Sequence, residues 1–134
     1  MITVYHVDFD IAEKLDPTLE LYYRLTFRPS TQEVNEGIEK GCYKKVAEVN
    51  TTNLDSAYEL TNNIDTSWDQ NFGVTPVKIG NRSTSVGDLL LSDSELYVVD
   101  RMGFTKLPSE MKEAFIVSQA NTTENNNSSM YKFK

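Results

Sequence analysis

The sequence predicts an α+β fold: a small mixed or antiparallel sheet packed by one or two helices, followed by a disordered C-terminal tail. Three observations carry this. Residues 2–7 (ITVYHV) and 18–27 (TLELYYRLTF) alternate in polarity with the period of two that a half-buried strand requires. In residues 54–64 the side chains of Leu54, Ala57, Tyr58, Thr61 and Ile64 fall on one helical stripe. Residues 80–107 place turn-forming residues between short apolar runs more densely than any other stretch, as hairpins require.

The elements follow in order. Strand 2–7 sets Ile2, Val4 and His6 against Thr3, Tyr5 and Val7. The acidic stretch 8–16 reads as a solvated turn ending at Asp16-Pro17, because the residue before a proline is driven out of the helical region. Residues 18–27 read as a second strand, with Leu19, Leu21, Tyr23, Leu25 and Phe27 on one face, broken by Arg28-Pro29. Ser30 and Glu33 have the spacing of a capping box, which predicts a helix over 31–40 closed by Gly41. Residues 43–49 fit either a strand or the end of that helical unit. Asn53 or Thr52 caps the helix over 54–64, with Asp55 in its first turn, where the helix dipole favours a carboxylate.

Residues 66–76 have the composition of a loop and hold the one tryptophan, Trp68, with Phe72 nearby. A short strand is expected at 77–79. Segments 89–91 and 96–99 flank the polar tip 92–94 as a hairpin, and a last strand, 104–107, pairs after the turn at Gly103. A short helix over 110–117 follows Pro108. Residues 118–134 are asparagine-rich and hold too little apolar surface to offset the entropy of ordering, so a flexible tail is expected. The organisation is thus one domain over 1–117 with a tail over 118–134.

Composition bounds the function. At 134 residues, one core without disulfide or metal support is within reach. The single cysteine, Cys42, excludes an internal disulfide and any multi-cysteine metal site. The start of the chain has neither a basic region nor a long apolar run, which reads as no signal peptide, and no apolar run approaches membrane-spanning length. The expected setting is a reducing cytoplasm, without membrane contact. The formal net charge is −7, and Lys44-Lys45 is the only adjacent basic pair, so direct nucleic-acid binding is not expected. An acidic surface serves solubility, or attracts a basic or nucleic-acid-binding protein.

Residues able to carry chemistry are few. His6, the one histidine, reads as an ordinary strand residue whose ring is hydrogen-bonded or solvated; Asp8 or Asp10 is the nearest acid partner in sequence. Cys42 precedes Lys44 and Lys45, which would lower its pKa. Asp8, Asp10 and Glu13 lack the spacing of a calcium loop. The stretch from Gly80 to Ser85 has the glycine, arginine and hydroxyls of a phosphate cradle, but not the Gly-Lys-Ser/Thr ending of a P-loop. Its structural reading is a turn capped by Ser83 or Ser85, with Gly87 in a backbone conformation other residues resist and Asp88 capping the segment after it.

Three segments resemble the YodL-like domain family of phage and mobile-element proteins: Ile2-Thr3-Val4-Tyr5; residues 43–49 with the helix from Leu54; and residues 80–88 with Tyr97-Val98-Val99-Asp100 and Gly103-Phe104. The chain departs from the family's G-R-S-L-S-V-S-D-V-like run by inserting Asn81, by Thr84 for leucine and by Gly87 for serine. The resemblance implies an accessory protein of an invading element and brings no enzymatic activity or cofactor with it. The expectation is therefore a non-enzymatic protein, without metal or cofactor, that binds and modulates a host protein in counter-defence or host takeover. The alternatives are a small-molecule or nucleotide-binding module using the turn from Arg82 to Asp88, and an acidic DNA mimic. Ligand or partner contacts are expected at Arg82, Ser83, Ser85, Asp88, Asp100, Arg101 and Trp68, the last in an exposed aromatic loop.

Overall fold

The computed structural model describes residues 1–121 in full and the backbone as far as Lys132. Six strands form one sheet: β1 (Ile2–Val7), β2 (Tyr43–Val49), β3 (Val74–Pro76), β4 (Leu89–Leu91), β5 (Leu96–Asp100) and β6 (Gly103–Lys106). Their order is β3-β2-β1-β4-β5-β6 and every pairing is antiparallel. With helices on both faces, the fold is α+β.

The alternation in β1 sorts its side chains as the sequence predicts. Ile2 and Val4 join the core on one face, while Tyr5 and Val7 join the core on the other. Both faces are buried, which is why the Leu89-Leu90-Leu91 run is apolar throughout: Leu89 points to one core and Leu90 to the other. A bulge between Val4 and Tyr5 leaves Val46 as the extra residue of β2, so Val46 and Ala47 both reach the same core. Residues 43–49, open between two readings in the sequence, are therefore strand.

The helices are α1 (Phe9–Leu15), α2 (Glu20–Phe27), α3 (Thr31–Glu39), α4 (Leu54–Leu60) and α5 (Ser109–Lys132), with a single 3-10 turn at Trp68–Gln70. Two expectations are corrected here. Residues 8–16 are α1 rather than a turn: the Asp8 carboxylate accepts from the Ile11 N–H at 2.9 Å and caps the helix, which stops before Asp16-Pro17. Residues 18–27 are not a strand but α2. Leu21 and Leu25 are one helical turn apart and both buried, while Tyr23 and Phe27 stand exposed. The start of α2 lacks a cap from its own N-cap residue, and Asp16 substitutes by accepting from Leu21 N at 3.1 Å.

Other expectations hold with small shifts. Ser30 caps α3 by accepting from Glu33 N, and its hydroxyl donates to the Glu33 carboxylate, so the capping box closes side chain to side chain. Gly41 follows α3 at φ +72. Helix α4 is capped by Asn53 and stops at Leu60, four residues early, where Thr61 leaves helical geometry (φ −105, ψ 28) while its N–H and hydroxyl both donate to the Ala57 carbonyl. The short strand expected at 77–79 lies instead at Val74–Pro76, where edge position tolerates the proline. The hairpin of β4 and β5 forms as expected, and β6 begins one residue early, at Gly103. Helix α5 starts at Ser109 and does not end at 117 as expected: residues 118–121, expected as tail, continue it, and from residue 122 the expected tail lies outside the residues described in full. Among the described residues no helix is long and apolar enough to cross a membrane.

Candidate functional site

The loop between Gly80 and β4 crosses the end of the sheet where β1 finishes, and there it meets α4. Asp88, with no exposed surface, is its centre. The Arg82 guanidinium forks onto both Asp88 oxygens, at 2.7 and 2.9 Å, and donates to the Val7 carbonyl at 3.0 Å. The same carboxylate accepts from the Val7 and Ser85 N–H groups, each at 2.8 Å. Burial disfavours the Arg82 charge, and its hydrogen bonds and pairing with Asp88 outweigh burial and push its pKa up. A bidentate fork supported by backbone donors is the arrangement in which a buried carboxylate is tolerated.

His6 stands beside this pair. Thr61 donates its hydroxyl to the Ala57 carbonyl, and Thr84 donates to Thr61 at 2.8 Å. The Thr84 oxygen must then accept from His6, 2.9 Å away, which fixes the neutral imidazole with its proton on Nε2. Burial holds the imidazole down at about 4; Asp88, 3.8 Å away, pulls it up and Arg82 pushes it lower. His6 is thus the hydrogen-bonded strand residue the sequence predicts, and Asp88, distant in sequence, takes the place expected for Asp8 or Asp10.

Five of the seven predicted site residues converge here, as parts of the fold. Ser83 accepts from Asn63 N at 2.8 Å, and Ser85 supplies its N–H to Asp88. Trp68 overturns the expectation of an exposed aromatic loop: it is fully buried, and its indole N–H donates to the Asn81 and Arg82 carbonyls at 3.1 and 2.8 Å. The exposed aromatic of that loop is Phe72. Asp100 sits apart, its carboxylate accepting from Arg101 N and the Thr105 hydroxyl within the turn from β5 to β6. Cys42 is also buried, and burial raises its thiol pKa, with Lys40 opposing weakly; the lowering expected from Lys44 and Lys45 is not found. Among the described residues, no group of three His, Cys, Asp or Glu side chains is arranged to hold a metal ion.

A different surface presents unengaged groups. Gly87, at φ +96, lies against the Leu25 carbonyl, where a Cβ would collide with the α2 backbone. That close approach brings the end of α2 to the turn from β5 to β6. There Phe27 is 62% exposed, with the Arg101 guanidinium 5.1 Å and the Arg28 guanidinium 5.8 Å from its ring centre. Tyr23, one turn back on α2, is equally exposed, and Met102 is 95% exposed. A cleft of about 460 Å³ runs between Tyr23, Phe27 and the stems of Arg24 and Arg28, with Glu33 at its rim. Sequence reasoning found Arg101 but missed Tyr23, Phe27 and Arg28. A helical reading of 18–27, with Leu21 and Leu25 inward, would have turned the two aromatics outward.

Comparison with family models, with curated proteins and with solved structures finds no match to this chain.

Proposed function

We propose that the protein is a non-enzymatic accessory protein of a phage or mobile element, acting in the bacterial cytoplasm by binding and modulating a host protein. The observation that carries this reading is the Phe27 face. A large aromatic ring is left in water near two arginines and beside a cleft, and aromatic and arginine side chains are enriched where proteins bind one another. The YodL-like resemblance supplies the setting. The Arg82 turn is read as structure, because its charge and its hydrogen-bonding groups are turned onto Asp88, Val7 and Ser83.

The rival reading, a small phosphorylated ligand at that turn, has one observation in its favour. A cavity of about 210 Å³ beside Arg82 is lined by Lys44, Lys78 and Asn81, with Asp8 on its wall. It is the weaker reading because Asp88 already neutralises Arg82.

Affinity capture from host cytoplasm tests the choice. The wild type should recover a protein in stoichiometric amount, and Phe27→Ser should reduce recovery about tenfold, as expected for an interface anchor. Recovery undiminished by Phe27→Ser, or a thermal shift with a nucleotide panel and no captured protein, would overturn the proposal.

A further inference from the structure

The charges around Phe27 bear on the chemistry of its partner, provided that this face is a protein-binding surface as proposed above. The chain bears a net charge of −7, yet two arginines lie near Phe27. Among the described residues neither Arg28 nor Arg101 has a carboxylate partner. The other cation of the cleft differs: Arg24 donates to Glu36 at 3.1 and 3.4 Å and lies 3.8 Å from Glu20. Glu36 also takes Lys40 at 2.9 Å, so the α3 side of the cleft is internally neutralised except for Glu33, which accepts from Ser30. Asp100, next to Arg101, is held within its own turn. Glu33 and Asp100 keep their negative charges, so the face is balanced in sum; among the described residues the groups left without a counter-charge or a hydrogen-bond acceptor are the Arg28 and Arg101 guanidiniums beside Phe27.

The geometry favours carboxylates. A guanidinium stacked over a ring uses its face and leaves its N–H edges in the plane, where they form two parallel hydrogen bonds with a carboxylate. Beside Phe27, the cleft lined by Tyr23, Arg24, Phe27, Arg28 and Glu33 has room for an apolar side chain.

We infer that the Phe27 face binds an acidic protein segment whose apolar anchor enters the Tyr23–Phe27 cleft while flanking Asp or Glu carboxylates pair with Arg28 and Arg101. A nucleic-acid strand fits less well: its backbone needs a run of cations, and the unpaired cations of this face are two.

Fluorescence anisotropy with four labelled probes decides. The probes are a short acidic peptide with a central Trp, the same peptide with Ser at its centre, a basic peptide with the central Trp, and an oligo-dT strand. The acidic Trp peptide should bind tightest, weaken as salt rises from about 50 to about 300 mM, and lose about tenfold in affinity with Phe27→Ser or with Arg28→Glu/Arg101→Glu. The doubly reversed variant should instead favour the basic Trp peptide, a switch that a misfolded variant cannot produce. If the basic Trp peptide binds the wild type best and Phe27→Ser removes it, the protein-binding reading stands and this inference falls. If oligo-dT binds best, or no probe binds in a Phe27-dependent way, both fall.

Discussion

At the scale of single residues, Asp88 and Arg82 matter most, because among the described residues Asp88 is the fully buried carboxylate of an Arg or Lys ion pair, and the half-exposed Arg82 is its counter-charge. Removing one partner of such a pair strands the other. Asp88→Ala leaves the Val7 and Ser85 N–H groups without their acceptor and Arg82 without its counter-charge, and should destabilise the fold by about 3–5 kcal/mol in urea unfolding. Ser83→Ala, which removes one neutral acceptor from Asn63, should cost only about 1 kcal/mol. A ligand-binding turn would predict small stability effects at both sites. The residue types at this turn were legible in the sequence, and so was its structural character. The pairing was not: Arg82 and Asp88 are six residues apart, and only the path of the loop across the end of β1 folds one onto the other.

Among the elements, α2 and the loop at Gly87 show how a local choice positions a surface. Gly87 is needed twice over, for its positive φ and because a Cβ would enter the space of the Leu25 carbonyl. Gly103, at φ +103, has open space around it and bears only the first constraint. Gly87→Ala should therefore cost about 2–4 kcal/mol, strain and overpacking together, and Gly103→Ala clearly less. Urea melts of the two variants check this; equal losses would mean that the approach of α2 to the loop contributes nothing. The need for glycine at 87 was visible in the sequence as a turn signal, whereas the helix it admits was not. Residues 18–27 satisfy both periods: Leu19, Leu21, Tyr23, Leu25 and Phe27 alternate as a strand, and Leu21, Tyr22 and Leu25 form a helical face. What decided between them was the position of Asp16, whose carboxylate reaches the first turn of α2, and the core surface waiting for Leu21 and Leu25.

For the whole molecule, the single histidine couples stability to pH. The folded protein holds His6 neutral with a pKa of about 4, against 6.5 for an unburied imidazole. Below pH 6.5 the unfolded chain takes up a proton that the folded one refuses, so His6 costs nothing above that pH and stability falls as pH drops toward 4. The loss at its limit is roughly 3 kcal/mol, from about 1.4 kcal/mol per pKa unit. The carboxylates whose pKa is lowered, Asp16 and Glu36, add their loss below the ordinary carboxylate range and so outside most of this window. Urea stability measured across pH 4–6.5 should show this slope in the wild type and a nearly flat line in His6→Gln; equal slopes would place the proton elsewhere. By itself the sequence determined what depends on near neighbours along the chain: the two-faced alternation of β1, the Ser30 cap and a cap at Thr52 or Asn53, the hairpin of β4 and β5, and the turn glycines at 41, 87 and 103. Only the tertiary structure decided which period of 18–27 was used, that Trp68 lies inside, that Arg82 closes on Asp88, and that Phe27 stands near Arg28 and Arg101. The reason is physical. Caps and turns are satisfied by backbone groups a few residues away, whereas the burial of a helix face and the pairing of a charge depend on which surface arrives from elsewhere in the chain.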